Sequence, residues 1–288
     1  KILISGYTYA AVCVLLWSFI PIASRLGQVK LDNFQLLFWS NILSLLVLII
    51  TLLLYKGVNL QFTNRKEIVY GLLLGTLGCS IYYLFLYYGY AAGNSIEVLL
   101  IQYSWPIQMV LLANIILKEP LSLNRFVAVI TGFIGIILII TKGKLVDVQF
   151  SGIEVSITVL AGAFCFALFS VLGKRSNMEV FHFVVVLFLG GTISTVCALL
   201  LFSEFKLPSR SEIFPVLING VFINGLSYLL WIFALRKISV TSAGVMIFFT
   251  PVLSTTWLVI FFDEVLYSSY VLGGVIVILS GMYLLRKV

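Results

Sequence analysis

Apolar residues run along this chain in blocks of about 20, each closed by a short polar connection. A helix of that length matches the hydrocarbon thickness of a bilayer. Ten such blocks are read, at roughly 3–23, 33–55, 68–90, 95–117, 124–141, 152–173, 179–202, 212–235, 242–262 and 267–285. The longest connections, around 56–67 and 203–211, are too small to fold alone. The pattern predicts an all-α membrane protein of ten transmembrane helices with no soluble domain. No cleavable signal peptide is read in the first block.

Composition agrees with the pattern. Of 288 residues, 61% are hydrophobic and only 10% charged, where a soluble domain keeps about a quarter charged. A net charge of +7 would point to nucleic acid in a soluble protein. Here the basic residues sit in short connections, so they report orientation instead and no nucleic-acid partner is expected. Placing both termini in the cytoplasm puts twelve of the 18 lysines and arginines on the inner side, among them Lys118, Lys174, Arg175, Arg236 and Lys237. Arg25, Lys30, Lys142, Lys144, Lys206 and Arg210 then face outward. That excess predicts cytoplasmic termini.

Candidate chemistry narrows the picture by elimination. Cys13, Cys79, Cys165 and Cys197 lie inside apolar runs without C-x-x-C spacing and read as small buried apolar residues. His182 is the single histidine, so no histidine-based metal site is expected. The chain has no G-x-x-x-x-G-K-[ST] loop and no H-E-x-x-H motif. No cofactor, metal or catalytic group is called for, and nothing requires an oligomer. The partners expected are a small-molecule substrate and the lipid bilayer.

An internal repeat organises the chain. Pro106 precedes Glu119 by 13 residues, and Pro251 precedes Glu264 by the same interval. The offset of 145 also maps Gly75 onto Gly220 and Tyr83 onto Tyr228. Trp17 and Arg25 match Phe166 and Lys174 at an offset of 149. The halves divide as 1–145 and 146–288. Five spans per half is an odd number, so the second half must be inserted upside down. Inverted repeats are a transporter signature, with the substrate site near the midplane between the halves.

The fourth block carries the most unusual residues. On a straight helix Glu97, Ser104 and Gln108 fall within 40° of one another, with Trp105 beside them. This polar stripe is expected to face a cavity, and Pro106 within it is expected to loosen the backbone as a hinge. Glu97 reads in two ways: as an anchor for a cationic group or proton, or as a snorkelling residue at the outer end of its span. The equivalent face of the ninth block is apolar, with Met246, Phe249 and Leu253, and carries the second hinge proline, Pro251. Asn224, Tyr228 and Trp231 share one face of the eighth block; Tyr83 on the third and Trp17 on the first add further aromatic groups. Together they suit a solute with an apolar ring and a charged head. Glu119 and Glu264 read as structural caps or as gates paired with a loop cation, and Arg25 and Lys174 as gate charges or ordinary interfacial cations. Gly132, Gly135, Gly273, Gly274 and Gly281 are expected to let the fifth and tenth spans pack closely.

The tryptophan near the end of the first span, the prolines of the fourth and ninth, and the glutamate 13 residues beyond each proline resemble the drug/metabolite transporter superfamily, in its ten-helix branch of two EamA-type repeats. The segment YGYAAGNSIEVLLIQYSWP, residues 88–106, with FTPVLS at 249–254 and GAF at 162–164, is similar to the YddG-like aromatic amino acid exporters. The resemblance implies a plasma membrane exporter of aromatic and other neutral amino acids. The alternative is a carrier of the same superfamily for another solute, such as a cationic aromatic drug, a polyamine or a nucleotide sugar.

Overall fold

The computed structural model describes residues 5–27, 30–55, 64–262 and 265–285. Of the residues singled out above, Glu264 and the side chain of Arg25 lie outside that description. The described residues are almost wholly helical and contain no strand. Among them, nine helical stretches are long and apolar enough to cross a membrane: α1 (Gly6–Ala23), α2 (Asn33–Leu54), α3 (Arg65–Ala92), α4 (Ser95–Leu117), α5 (Leu123–Ile140), α6 (Ile153–Arg175), α7 (Val180–Phe202), α8 (Arg210–Lys237) and α9 (Val240–Phe262). A shorter apolar helix, α10 (Ser268–Leu284), comes after them. The chain is thus a multi-pass membrane protein.

Helix starts obey local chemistry. Asp32 and Gln35 form a reciprocal capping box ahead of α2, and Ser209 with Glu212 does the same for α8. Glu212 does more than cap. Fully buried, its carboxylate accepts the N–H groups of Lys30 at 2.7 Å, Leu31 at 2.8 Å and Ser209 at 2.9 Å, together with the Ser209 hydroxyl. It ties the α1–α2 connection to the start of α8.

Several helices are not the straight rods that periodicity implies. π-helical turns interrupt α3 at Leu77–Ile81 and α8 at Ile218–Leu226. At the 145-residue offset the first segment maps onto 222–226, the second part of the other. Each widened turn rotates the side chains beyond it: Tyr82 and Tyr83 come directly after the first, Ser227 and Tyr228 after the second. α4 breaks at Tyr103–Ser104, just before Pro106, and α9 breaks at Phe248, just before Pro251. Proline at the first turn of a new helical segment is tolerated, because its missing N–H would have lacked a helical partner anyway. The two proline positions are therefore where the helices break.

Packing depends on glycine where backbones touch. A Cβ on Gly135 would stand 2.7 Å from the Gly273 carbonyl, and one on Gly273 would stand 2.5 Å from the Gly135 carbonyl. This reciprocal contact joins α5 to α10, as expected for those glycines. α3 and α7 use a second pair: a Cβ on Gly75 would collide with the carbonyl of Leu187, and one on Gly190 with the carbonyl of Leu72. Because backbone cannot swing aside as a side chain can, Gly75→Ala is expected to destabilise the protein by about 3 kcal/mol or more. Thermal unfolding in detergent checks this; a melting temperature equal to wild type would contradict the contact.

Candidate functional site

The breaks and π-turns converge on the centre of the bundle. Trp17 stands where α1 turns at Ser18–Phe19. Its ring centroid lies 5.4 Å from Trp231, 6.0 Å from Phe166 and from Tyr228, and 6.4 Å from Trp105. Trp105 and Phe166 are 4.8 Å apart, edge to face. Such offset and edge contacts are the favoured aromatic geometries. Trp17 Nε1 donates to the Ser227 hydroxyl at 2.7 Å and the Ile223 carbonyl at 3.2 Å, and Trp231 Nε1 donates to Ser170 at 3.1 Å. The indole N–H groups of Trp17 and Trp231 are thereby committed to neighbouring helices.

This cluster borders a small cavity of about 50 Å³, walled by Trp17, Ile20, Tyr82, Tyr83, Gln102, Tyr103, Trp105, Phe166, Ile247 and Thr250. It has room for a few water molecules, and a ring-bearing solute requires it to widen. A larger open groove of about 400 Å³ lies at the periphery, between α5 and α10, away from the hinges and the aromatic cluster. The central cavity is the better candidate because the backbone irregularities meet there. Prolines 106 and 251 have no N–H to give to the carbonyls four residues earlier, those of Gln102 and Ile247, and both of these residues line the cavity.

Three sequence-derived candidates, Trp17, Tyr83 and Trp105, form part of the wall. Asn224, Tyr228 and Trp231 stand directly behind it. The Tyr83 hydroxyl lies 3.4 Å from Asn224 Oδ1 and 3.3 Å from the Tyr228 hydroxyl. Met246 and Phe249 flank the wall residues Ile247 and Thr250 along α9 and pack against the aromatic core. Gln102, Tyr103, Ile247 and Thr250 are wall residues that the sequence reading misses. Their signal is the repeat: Gln102 pairs with Ile247, and Trp105 with Thr250, at the 145-residue offset, each pair set by its proline.

Glu97, Ser104 and Gln108 lie outside this wall. Glu97 is fully buried, so it does not snorkel, and it is absent from the cavity wall. Its carboxylate accepts the Ser151 N–H at 2.8 Å and the Ser156 hydroxyl, binding α4 to the entry of α6. The Ser104 hydroxyl donates to the Ile101 carbonyl at 2.6 Å, and Gln108 Nε2 donates to that hydroxyl at 2.9 Å. The stripe does not form one continuous path, because the break at Tyr103–Ser104 divides the helix that a straight wheel assumes.

At the opposite end of α4 and α6 lies a three-helix latch. Lys174 Nζ stands 2.7 Å from Glu119 Oε1 and donates to the Ile238 carbonyl at 2.6 Å. The other Glu119 oxygen accepts the Val240 N–H at 2.8 Å. One carboxylate thus joins the ends of α4 and α6 to the start of α9, across the two halves of the chain.

A single family model, that of the EamA-like transporter family, matches this chain twice, at residues 4–141 and 155–286. The chain belongs to the EamA-like transporter family. Its relatives include YyaM of Bacillus subtilis, described as an uncharacterized transporter, 25% identical over 84% of this chain and 81% of its own. A second, from Archaeoglobus fulgidus and likewise described as an uncharacterized transporter, is 23% identical over 95% of this chain and 94% of its own. A protein crystal structure superposes with a TM-score of 0.85 over 96% of both chains at 19% identity, a likeness of fold alone. Membership makes this EamA-like protein a membrane transporter rather than an enzyme.

Proposed function

We propose that this EamA-like protein is a secondary carrier that moves small amphipathic solutes across the plasma membrane by alternating access, with the central aromatic cavity as its solute site. The observation that carries this reading is the symmetry of the wall. Trp17 and Phe166, Gln102 and Ile247, and Trp105 and Thr250 are equivalent positions of the two halves, and all six line one cavity. An alternating-access site must be framed by both halves so that either can release it.

Under this reading residues 1–145 and 146–288 are five-helix repeats of opposite orientation. α10 is the tenth crossing, both termini are cytoplasmic, and Pro106 and Pro251 mark the hinges. The double family match and the 145-residue spacing support it. A cysteine at Ala92, which is exposed at the end of α3, and one at Asn177, exposed between α6 and α7, are expected to react with an impermeant thiol reagent from opposite sides, in a background lacking the four native cysteines. Reaction from the same side would contradict the inverted arrangement.

The wall favours solutes with an aromatic or bulky apolar part. Aromatic amino acids carry such a part, and export of aromatic and other neutral amino acids is what the likeness to the YddG-like exporters implies. Burying one ring against the wall stabilises binding by on the order of 1–3 kcal/mol. Purified protein in liposomes is expected to show saturable uptake inhibited by ring-bearing solutes and not by aspartate or glutamate. Inhibition by the acidic amino acids equal to that by the aromatic ones would overturn this assignment.

A further inference from the structure

The cavity wall contains one conspicuous polar group. Thr250 is 6% exposed, and its hydroxyl is buried without a hydrogen-bond partner. Helical threonines ordinarily return their hydroxyl to a carbonyl one turn back. Thr255 and Thr256 on the same helix do so, at 2.9 Å each. Thr250 sits just after the helix break and makes no such bond, so its hydroxyl is unpaired beside the cavity and can pair with a solute once the cavity widens around it. A buried hydroxyl without a partner is unfavourable, and a ligand that satisfies it removes that penalty.

Of the other polar wall groups, Gln102, Tyr82, Tyr83 and the Trp17 indole are already engaged. Gln102 Nε2 donates to the Tyr82 hydroxyl at 2.8 Å, and Gln102 Oε1 accepts from Tyr90 at 3.2 Å. Tyr83 is shared between Asn224 and Tyr228. Among the described residues no charged side chain lines the cavity. Acids at the helix ends are spoken for: Glu97 by Ser151 and Ser156, Glu119 by Lys174 and Val240, Glu212 by Lys30, Leu31 and Ser209. Near the latch, Lys174 is held by Glu119, and Arg236 donates Nη1 to the Met178 carbonyl at 2.6 Å and lies 5.3 Å from the Phe183 ring centroid; its Nε and Nη2 are buried without a partner, away from the cavity wall.

A box of six aromatic rings with no charge is asymmetric toward ions. Ring faces carry negative potential and attract ammonium groups. The same faces offer a carboxylate nothing, and an unpaired buried carboxylate is strongly disfavoured. We propose that this cavity selects ring-bearing primary amines in their monocationic form over the corresponding zwitterionic amino acids, and that the Thr250 hydroxyl is the specificity-determining group that accepts an ammonium N–H while the rings hold its charge. The inference rests on the proposed reading of the cavity as the solute site.

Its test compares three indole compounds as inhibitors of labelled tryptamine uptake into proteoliposomes: tryptamine, its N,N,N-trimethylated cation and tryptophan. Tryptamine is expected to bind at least tenfold more tightly than tryptophan. Thr250→Val keeps the shape and removes the hydroxyl. It is expected to weaken tryptamine about tenfold more than the trimethylated cation, which has no N–H to give, the equivalent of one charge-assisted hydrogen bond. Thr250→Ser is expected to restore the preference. Without solute, Thr250→Val should melt no lower than wild type, because the hydroxyl it removes has no partner. Tryptophan binding as tightly as tryptamine, or an equal effect of Thr250→Val on the primary and trimethylated amines, would overturn the inference while leaving the cavity as the site. No saturable interaction with any of the three compounds would overturn the site itself, and the inference with it.

Discussion

Glu97→Ala is expected to unfold at a markedly lower temperature than wild type, and Glu97→Gln to fall between them. The carboxylate is fully buried and holds the Ser151 N–H and the Ser156 hydroxyl. Hydrogen bonds to a charged group contribute about 1.5–3 kcal/mol each, and removal of the acceptor leaves two donors stranded. A loss of about 3–5 kcal/mol is the expected scale for the alanine variant. Glutamine keeps one acceptor oxygen but loses the charge. The KM of transported solutes should change little in whichever variant remains folded. Differential scanning of detergent-purified protein, paired with uptake kinetics, separates the outcomes. A large rise in KM with unchanged melting would return Glu97 to the role of solute anchor.

The second large effect is expected at the latch. Lys174 and Glu119 are about one-fifth exposed, at 21% and 17%, and are therefore less screened than a surface pair. Replacing Lys174 by Met breaks the bond to Glu119 and the bond to the Ile238 carbonyl together. Their loss is expected to shift the balance by roughly 1.4 kcal/mol, about tenfold in population, toward conformers open at this end. A cysteine at the buried cavity residue Ile247, in a background lacking the native four, reports this by its rate of reaction with an impermeant reagent from the Lys174 side. The rate should rise about tenfold in Lys174→Met. An unchanged rate would mean that the pair holds the helices together in every state and is not a gate.

Much of this architecture is legible in the pattern of apolar blocks, because a bilayer imposes one length and one satisfied backbone on every crossing. Among the described residues, nine of the ten expected spans correspond to helices long and apolar enough to cross, and the described part of the tenth, α10, is shorter. Small residues in α5 and α10 announce the contact that Gly135 and Gly273 make. The prolines locate the breaks, since proline disrupts the helix whatever surrounds it. The irregular backbone is less visible. No residue in Leu77–Ile81 or Ile218–Leu226 marks a π-turn, and those turns set the direction of Tyr83 and Tyr228. The position of Glu97 outside the cavity wall is hidden for the same reason. A wheel drawn through residues 97–108 assumes one axis, and the axis changes at Tyr103. Nor does sequence show that a carboxylate at a helix start finds its donors at the entry of α6, in Ser151 just before it and Ser156 in its first turns, 54 and 59 residues away. Thr250 passes as an ordinary helix-start residue until the absence of a partner for its hydroxyl becomes apparent in three dimensions.

The central claim is that solute binds among the aromatic rings between the two halves. It is tested most directly by the KM of labelled ring-bearing solute uptake into liposomes for wild type and Trp105→Leu. Trp105 is 4% exposed, lines the cavity and contacts Trp17, Phe166 and Trp231. Leucine retains apolar bulk and removes the ring face. The account predicts that KM rises about tenfold, corresponding to about 1.4 kcal/mol of lost ring contact, in a variant that still inserts and melts cooperatively. An unchanged KM in the folded variant would contradict it and place the solute elsewhere.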